Sequence, residues 1–140
     1  MRKIILPILL VVSFSALSAQ KVKERHKRSA PDSTAFTRYG TASFYAKKFD
    51  GRQTASGEIF SSQKYTAACN ILPLNTWVRV TNIRNHKSVM VKINDRMHPK
   101  NKRLIDLSRI AAKDLGFIGH GLTRVKVEAF ADYHPDIVSQ

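Results

Sequence analysis

Cysteine and acidic side chains are scarce in this chain of 140 residues. Cys69 is the one cysteine, so no disulfide can form within the chain and burial must hold the fold together. Asp and Glu number 10 against 24 Lys and Arg, which gives a formal net charge of +14. The histidines show no spacing typical of metal ligands, and no motif predicts a metal or a cofactor. Each carboxylate of so basic a chain is therefore a candidate for chemistry.

Long apolar runs are confined to the start of the chain. Arg2 and Lys3 precede an apolar stretch over residues 4–17, and small residues follow it up to Ala19. This order is typical of a secretory signal peptide, so we expect residues 1–19 to be removed on export. The stretch is short for a transmembrane helix, and no cysteine follows it to carry a lipid. We expect an exported protein of the periplasm or cell envelope that is not lipid-anchored.

Beyond the apolar run the sequence predicts one folded unit. Residues 20–37 are polar and basic without periodicity, which predicts a flexible linker. Residues 38–130 suffice for one small core and leave no room for a second domain. Residues 131–140 are predicted to form a C-terminal tail, and we expect the protein to be a monomer.

Alternating apolar and polar residues predict several short strands. The alternation covers residues 39–45, 77–83, 88–93 and 122–130. Residues 84–87 predict a tight hairpin. Ser108 as N-cap and Gly116 as terminator predict a helix over residues 109–115. Short strands with one or two small helices favour a mainly β fold, namely a small closed barrel.

Asp95 is the carboxylate that this pattern singles out. A strand ends on Asn94-Asp95-Arg96, which places Asp95 between an amide and a guanidinium. An ion pair or a turn acid is the structural alternative for such a triplet. Arg96 is expected to face away from Asp95, because consecutive strand residues point to opposite faces. For a second carboxylate, Asp106, the sequence leaves open a catalytic role or a turn acid that satisfies backbone amides before Ser108.

Four segments, taken in order, resemble a known family. They are residues 39–45, residues 51–60, residues 65–69 with 72–82, and residues 91–96 with 103–108. Their order and spacing are similar to those of the rare lipoprotein A family, septal-ring proteins that act as lytic transglycosylases on peptidoglycan. The resemblance covers about residues 38–130. It implies a single six-stranded double-psi β-barrel with one or two short helices, similar to the first domain of expansins.

The resemblance also implies site residues. It assigns the acid/base role to Asp95 and lines the same groove with Glu58, taken as a second catalytic residue, and with position 69. Position 69 is usually His in the family and is Cys69 here, for which a small buried hydrophobe is the alternative. The family's Ile-Asp-Leu-Ser segment places Asp106 beside the groove. The candidate substrate-binding or supporting residues are Cys69, Asp106, Tyr45 and Asn94.

Two functions remain open at this point. The first is an endolytic lytic transglycosylase that cuts MurNAc–GlcNAc bonds in peptidoglycan glycan strands, leaves 1,6-anhydro ends and needs no cofactor. The second is a non-catalytic, expansin-like module that binds peptidoglycan or another polysaccharide, which Cys69 and the positive charge favour. The charge also favours weak association with anionic envelope surfaces. Nucleic acid is not an expected partner, because export would separate the protein from nucleic acid and because the sequence has no aromatic platform or recognition motif.

Overall fold

Six strands close into a barrel over residues 34–130, the part of the chain that the computed structural model describes. Around the barrel the strand order is β1-β5-β2-β4-β3-β6, which confirms the predicted six-stranded, mainly β fold. In chain order the elements are β1 (Thr34–Phe44), a 3₁₀ turn (Lys47–Phe49), β2 (Thr66–Ala68), β3 (Trp77–Asn82), β4 (Ser88–Asp95), β5 (Ile105–Leu107), α1 (Arg109–Asp114) and β6 (Thr123–Phe130).

The barrel mixes parallel and antiparallel pairs. Strand β1 runs parallel to β5 and β2 runs parallel to β4, whereas the other four neighbouring pairs are antiparallel. Parallel neighbours cannot be joined by a tight turn, and neither parallel pair is consecutive in the chain. The segment between β1 and β2 and the segment between β4 and β5 join strands that are not neighbours in the barrel, and these two segments supply most of the site described below.

Aliphatic side chains fill the barrel. Inward residues of β3, β4, β5 and β6 have no exposed surface, as the alternation predicts: Val78, Val80, Val91, Ile93, Ile105, Leu107, Val125 and Val127. Glu128 of β6 is an exception among the outward residues. It lies on the outer face but is only 7% exposed, because Arg79 (3.1 Å) and Lys126 (3.2 Å) pair with its carboxylate.

The connections follow the predicted turn chemistry with two differences. In the turn between β3 and β4, His86 rather than an Asn adopts positive φ (61°). Helix α1 begins after Ser108, as predicted. The Ser108 hydroxyl, however, makes no cap hydrogen bond and has no hydrogen-bond partner. Gly116 follows the helix with φ 76°, the left-handed conformation expected of it.

The barrel starts earlier than the predicted end of the linker at residue 37. Thr34 already pairs with Phe130 of β6, and Phe36 pairs with Ala129 and packs on the core. Pairing and burial outweigh the polar composition of this stretch. The predicted signal peptide, residues 20–33 of the linker and the tail lie outside the described residues. Within residues 34–130, no helix has the length and apolarity needed to cross a bilayer.

Candidate functional site

A cavity of about 470 Å³ opens where β1 and β4 end. Aromatic, cationic and acidic residues line the cavity, and both candidate aspartates are among them. The aromatic side chains are Phe44, Tyr45, Phe49 and Phe60, the guanidinium groups are those of Arg52, Arg96 and Arg103, and the carboxylates are those of Asp95 and Asp106.

Strand register brings the two aspartates together. Strand β2 lies between β4 and β5, and its Ala68 is opposite Asp95 on one side and opposite Asp106 on the other. One strand further, Ser43 of β1 is opposite Asp106. The pairing of β2 with β4 shifts register between Ala67 and Ala68, so this row passes through Asp95 rather than Asn94. The row across four strands therefore presents both carboxyl groups at the same end of the barrel.

Asp95 is half-buried and is held by three hydrogen bonds. The Tyr45 hydroxyl donates to Oδ2 at 2.7 Å. The backbone N–H groups of Ala55 (2.9 Å) and Arg96 (2.8 Å) both donate to Oδ1. The Arg96 side chain is exposed but lines the same cavity as Asp95, which differs from the expectation that it faces away, and its guanidinium donates to the backbone carbonyl of Cys69. One carboxyl oxygen is thus bound to the backbone, and the other meets a single phenol.

Tyr45 is fixed by aromatic packing. Its ring centroid lies 4.3 Å from that of Phe60 and 5.7 Å from that of Phe49. Burial raises the pKa of Tyr45 far above its usual value, and the hydrogen bond to the Asp95 carboxylate raises it further. The phenol therefore keeps its proton throughout the range in which a folded protein is studied.

Asp106 is tied to a cation. Nε of Arg103 donates to Oδ1 at 2.8 Å and Nη2 donates to Oδ2 at 3.0 Å, while the Ser43 hydroxyl donates to Oδ1 at 2.5 Å. This hydrogen-bonded ion pair raises the pKa of Arg103. The partners of Asp106 are side chains of the site, so the predicted alternative, a turn acid that satisfies backbone amides, is not what the structure shows.

Glu58 is not among the residues that line the cavity. Its Oε1 pairs with Nζ of Lys92 at 2.8 Å, and the Ser56 hydroxyl donates to the same oxygen at 3.3 Å. The hydrogen bond from Lys92 lowers the pKa of Glu58. Residues Lys92 and Asn94 share the outward face of β4, whereas Asp95 shares the inward face of Val91. Glu58 and Asp95 therefore have different partners, and a catalytic role of Glu58 stays a prediction.

Asn94 supports the loop that covers this outer face. It is 1% exposed, its backbone carbonyl accepts from the N–H of Ser56 at 3.0 Å, and its side chain hydrogen-bonds Glu58. Its Oδ1 has no hydrogen-bond partner. The next residue, Asp95, accepts from Ala55 of the same loop. Asn94 thus acts on the site through the loop and does not line the cavity.

Cys69 does not line the cavity, which differs from the implied place of position 69 in the groove. The side chain has no exposed surface and belongs to the core with Ala67 and Leu72. The alternative prediction, a small buried hydrophobe, is confirmed. Only the backbone of Cys69 contributes to the site, since its N–H donates to the backbone carbonyl of Asp95 at 3.1 Å.

Sequence reasoning missed several lining residues. Phe49 and Phe60 lie on either side of the turn signals near Gly51, and backbone bonds join the two limbs, from Gly51 N–H to Phe60 O (2.9 Å) and from Phe60 N–H to Arg52 O (2.7 Å). In the sequence, the turn signals between Phe49 and Phe60 were the available indication that the chain folds back here and brings the two rings together. Arg103 stands three residues before Asp106, and only the fold shows that they meet. Within residues 34–130 no cluster of three or more His, Cys, Asp or Glu could hold a metal ion.

Comparison with known proteins agrees with the resemblance. A family model described as "Lytic transglycolase" matches residues 37–127. The chain is 50% identical over 101 residues to the "Endolytic peptidoglycan transglycosylase RlpA" of Pasteurella multocida, covering 72% of this chain and 34% of the relative. It is 42% identical over 115 residues to the protein of that name from Neisseria meningitidis serogroup A, covering 81% and 48%. The chain thus spans about a third to a half of the length of these curated relatives.

Solved structures show the same fold. The Streptomyces papain inhibitor matches with a TM-score of 0.56 at 19% identity, covering 69% of this chain and 96% of its own. An expansin from Clavibacter michiganensis matches with a TM-score of 0.55 at 21% identity, covering 71% and 52%. These likenesses confirm the double-psi form of the barrel. With residues 37–127 matched, the chain belongs to the lytic transglycolase family of double-psi β-barrels.

Proposed function

We propose that the protein is an endolytic peptidoglycan lytic transglycosylase that cleaves MurNAc–GlcNAc bonds and uses Asp95 as acid and base. The observation that carries this proposal is the placement of Asp95. Its carboxyl group lies in the cavity, and none of the ion pairs among residues 34–130 involves it. The names of the relatives support the same activity.

The reaction needs one carboxyl group and no water. Protonated Asp95 gives its proton to the glycosidic oxygen, and the bond from that oxygen to the anomeric carbon of MurNAc breaks. The 6-hydroxyl of the same MurNAc then attacks the anomeric carbon, and its proton passes to the Asp95 carboxylate. The new bond closes a 1,6-anhydro ring and Asp95 regains its proton. Hydrolytic glycosidases, by contrast, use a pair of carboxyl groups.

Asp95 suits this cycle better than the other two candidates. Asp106 is bound in a fork by Arg103, and Glu58 is paired with Lys92. A fixed cation holds a carboxylate in its ionised form and opposes the protonated form that the first step requires. Asp95 accepts hydrogen bonds only from neutral groups, and no cation competes with the glycan for its carboxyl group.

The charge around the cavity indicates which glycan fits. The guanidinium groups of Arg52, Arg96 and Arg103 line it, and all three side chains are exposed. A glycan strand stripped of its stem peptides carries one free lactyl carboxylate on each MurNAc. Guanidinium groups bind carboxylates well, so we expect stripped strands to be the preferred substrate.

Digestion of purified, peptide-free glycan strands tests the proposal. The wild-type protein should release fragments whose MurNAc ends carry the 1,6-anhydro mass, seen by mass spectrometry. The same digestion with Asp95→Asn should give none. Fragments with ordinary reducing ends would show a hydrolase instead, and no fragments at all would leave the activity without support.

A second candidate is a module that binds polysaccharide without cutting it. Aromatic rings and guanidinium groups line the cavity independently of Asp95 and suit a sugar chain with carboxylates. A structural neighbour, a Clavibacter michiganensis expansin, was solved in complex with cellohexaose. Co-sedimentation with insoluble peptidoglycan separates the two functions. A pure binder keeps its binding in Asp95→Asn and releases no fragments as wild type.

The proposed substrate implies a place outside the cytoplasm. The apolar stretch at the start of the chain supports export, and the net charge of +14 supports a weak attraction to anionic envelope surfaces. We expect a monomer in the periplasm or cell envelope. Cell fractionation and size-exclusion chromatography with light scattering test these two statements separately.

A further inference from the structure

The two oxygens of Asp95 have different environments, and this difference assigns them different tasks. Oδ1 accepts two backbone N–H bonds, from Ala55 at 2.9 Å and from Arg96 at 2.8 Å. A carboxylate oxygen offers about two lone-pair positions, so Oδ1 is fully used. Oδ2 accepts only the Tyr45 hydroxyl, at 2.7 Å, and keeps one position open.

We propose that Tyr45 is a positioning residue that orients the Asp95 carboxyl group so that Oδ2 carries the proton exchanged with the glycan. The inference rests on the proposed function, which requires a proton to leave Asp95 and to return to it. With Oδ1 used by the backbone, the proton has one place to sit. The phenol fixes the direction in which that place points.

The packing of Tyr45 makes it suitable for this task. Its ring is held by Phe60 and Phe49, with centroids at 4.3 and 5.7 Å, so its hydroxyl has a defined position before substrate arrives. Groups fixed in advance lower the cost of reaching the reactive geometry. The aromatic cluster therefore fixes the position of the Tyr45 hydroxyl.

Tyr45 itself does not exchange the proton. Burial and the neighbouring Asp95 hold its pKa far above the usual value for a phenol, so it stays neutral while Asp95 changes state. A neutral hydroxyl is both donor and acceptor. It can donate to Oδ2 in both states of Asp95, because one lone pair of Oδ2 meets the phenol while the other holds or releases the exchanged proton.

Other charged groups face the same space and shape its pH response. Arg52 follows the 3₁₀ turn, Arg96 and His98 follow β4, and Arg103 with Asp106 belongs to the approach to β5. None of them forms an ion pair or hydrogen bond with the Asp95 side chain beyond the Arg96 backbone N–H. Removing the Tyr45 hydroxyl leaves all of them in place, so a change in the pH profile reports on Tyr45.

Tyr45→Phe is the test, with Tyr65→Phe as its matched control. Phenylalanine keeps the ring contacts and removes only the hydroxyl. Tyr65 also donates its hydroxyl to an aspartate, Asp114, at 2.6 Å, but it does not line the cavity. We expect Tyr45→Phe to lower kcat on peptide-free glycan about ten- to a hundredfold with little change in KM, as loss of a hydrogen bond to a charged group predicts. Tyr65→Phe should match wild type.

The pH profile gives the readout that a purely structural role would not move. Ionised Asp95 loses a donor in Tyr45→Phe, so the protonated form persists to higher pH. The alkaline fall in cleavage should therefore shift to higher pH, and a carbon NMR titration of the Asp95 carboxyl group should shift in the same direction. Melting temperature within a few degrees of wild type shows that the fold is kept.

The outcomes separate this inference from the proposed function. Wild-type cleavage with an unchanged profile in Tyr45→Phe overturns the inference and leaves the function standing. Absence of anhydro ends from the wild-type protein overturns the function, and the NMR titration then still decides whether Tyr45 holds Asp95. Superimposable titration curves of the two proteins would count against that contact whatever the activity.

Discussion

The two faces at the end of β4 differ in what surrounds their acids. On the inward face, Asp95 meets the Tyr45 hydroxyl and two backbone N–H groups at the cavity. On the outward face, Asn94 and Lys92 lie under the loop that carries Glu58, and the Glu58 carboxylate is paired with the Lys92 ammonium. Neighbouring residues of one strand thus contribute to two different environments, the cavity on one face and the Glu58–Lys92 ion pair on the other.

The comparison teaches that the strand face, rather than the motif, decides what an acid can do. Loop residues 54–58 connect the two faces, because Ala55 binds the Asp95 side chain while Ser56 binds the Asn94 backbone. The Asp95 carboxyl group has only neutral partners and faces the cavity, whereas the Lys92 ammonium lowers the pKa of Glu58 and occupies its carboxylate. The predictions below test this division.

Asp95→Asn should have the largest effect. Loss of the acid/base group should lower release of anhydro fragments about 10²- to 10⁴-fold. The amide can still accept from the N–H groups of Ala55 and Arg96, so the melting temperature should stay close to wild type. Asp114→Asn is the matched control, since Asp114 also binds a tyrosine hydroxyl but lies outside the cavity. Equal activity of the two variants would contradict the inward-face assignment.

Cys69→His should destabilise the protein without improving catalysis. The thiol is fully buried in the core, and a larger polar ring there overpacks the site and costs about 1–3 kcal/mol of unfolding free energy. Urea unfolding measures this loss, and Cys69→Ala should cost less. Slow labelling of the native protein by a thiol reagent is an independent check. A variant as stable as wild type that cuts faster would place position 69 in the groove after all.

Asp106→Asn should have a smaller effect on cleavage. The substitution breaks the two-point contact with Arg103 but leaves Asp95 and its partners in place, so we expect a loss of about fivefold or less, mainly in KM. Arg103→Gln should reproduce it, because both variants remove the same pair. A loss in kcat as large as that of Asp95→Asn would show that both cavity carboxylates exchange protons.

The sequence predicted the barrel well because its signals are local. Alternation along β3 and β6 identifies the inward residues, and Asn94-Asp95-Arg96 at the end of β4 identifies the acid at a strand end. The site was harder to predict because its contacts are distant in the chain. Tyr45 and Asp95 are 50 positions apart, and only the register of β1, β5, β2 and β4 brings them together.

Glu58 and Cys69 are both absent from the cavity lining, and the reason is the same for both. Each lies near Asp95 through the backbone, Glu58 through its loop and Cys69 through its N–H, so a motif that contains all three is spatially compact. A linear motif does not say which way each side chain points. The Cys69 side chain packs in the core, and the Glu58 carboxylate forms an ion pair with Lys92.

Glu58→Gln should have the smallest effect and so completes the comparison. Lys92 lowers the pKa of folded Glu58, so the pair stabilises the protein above the ordinary Glu pKa, and this contribution disappears as the pH falls through the lowered value. The carboxylate is half-exposed, so solvent screens the pair to about a few tenths of a kcal/mol. Thermal melts of the variant should show a slightly lower stability than wild type at pH about 7. The difference should vanish at pH about 2, where the protonated Glu58 of the wild type is as neutral as the glutamine of the variant.

Cleavage by Glu58→Gln should be unchanged, since the carboxylate lies on the outward side of β4. A tenfold loss of anhydro fragments at unchanged stability would return Glu58 to the catalytic site and abolish the division between the two faces.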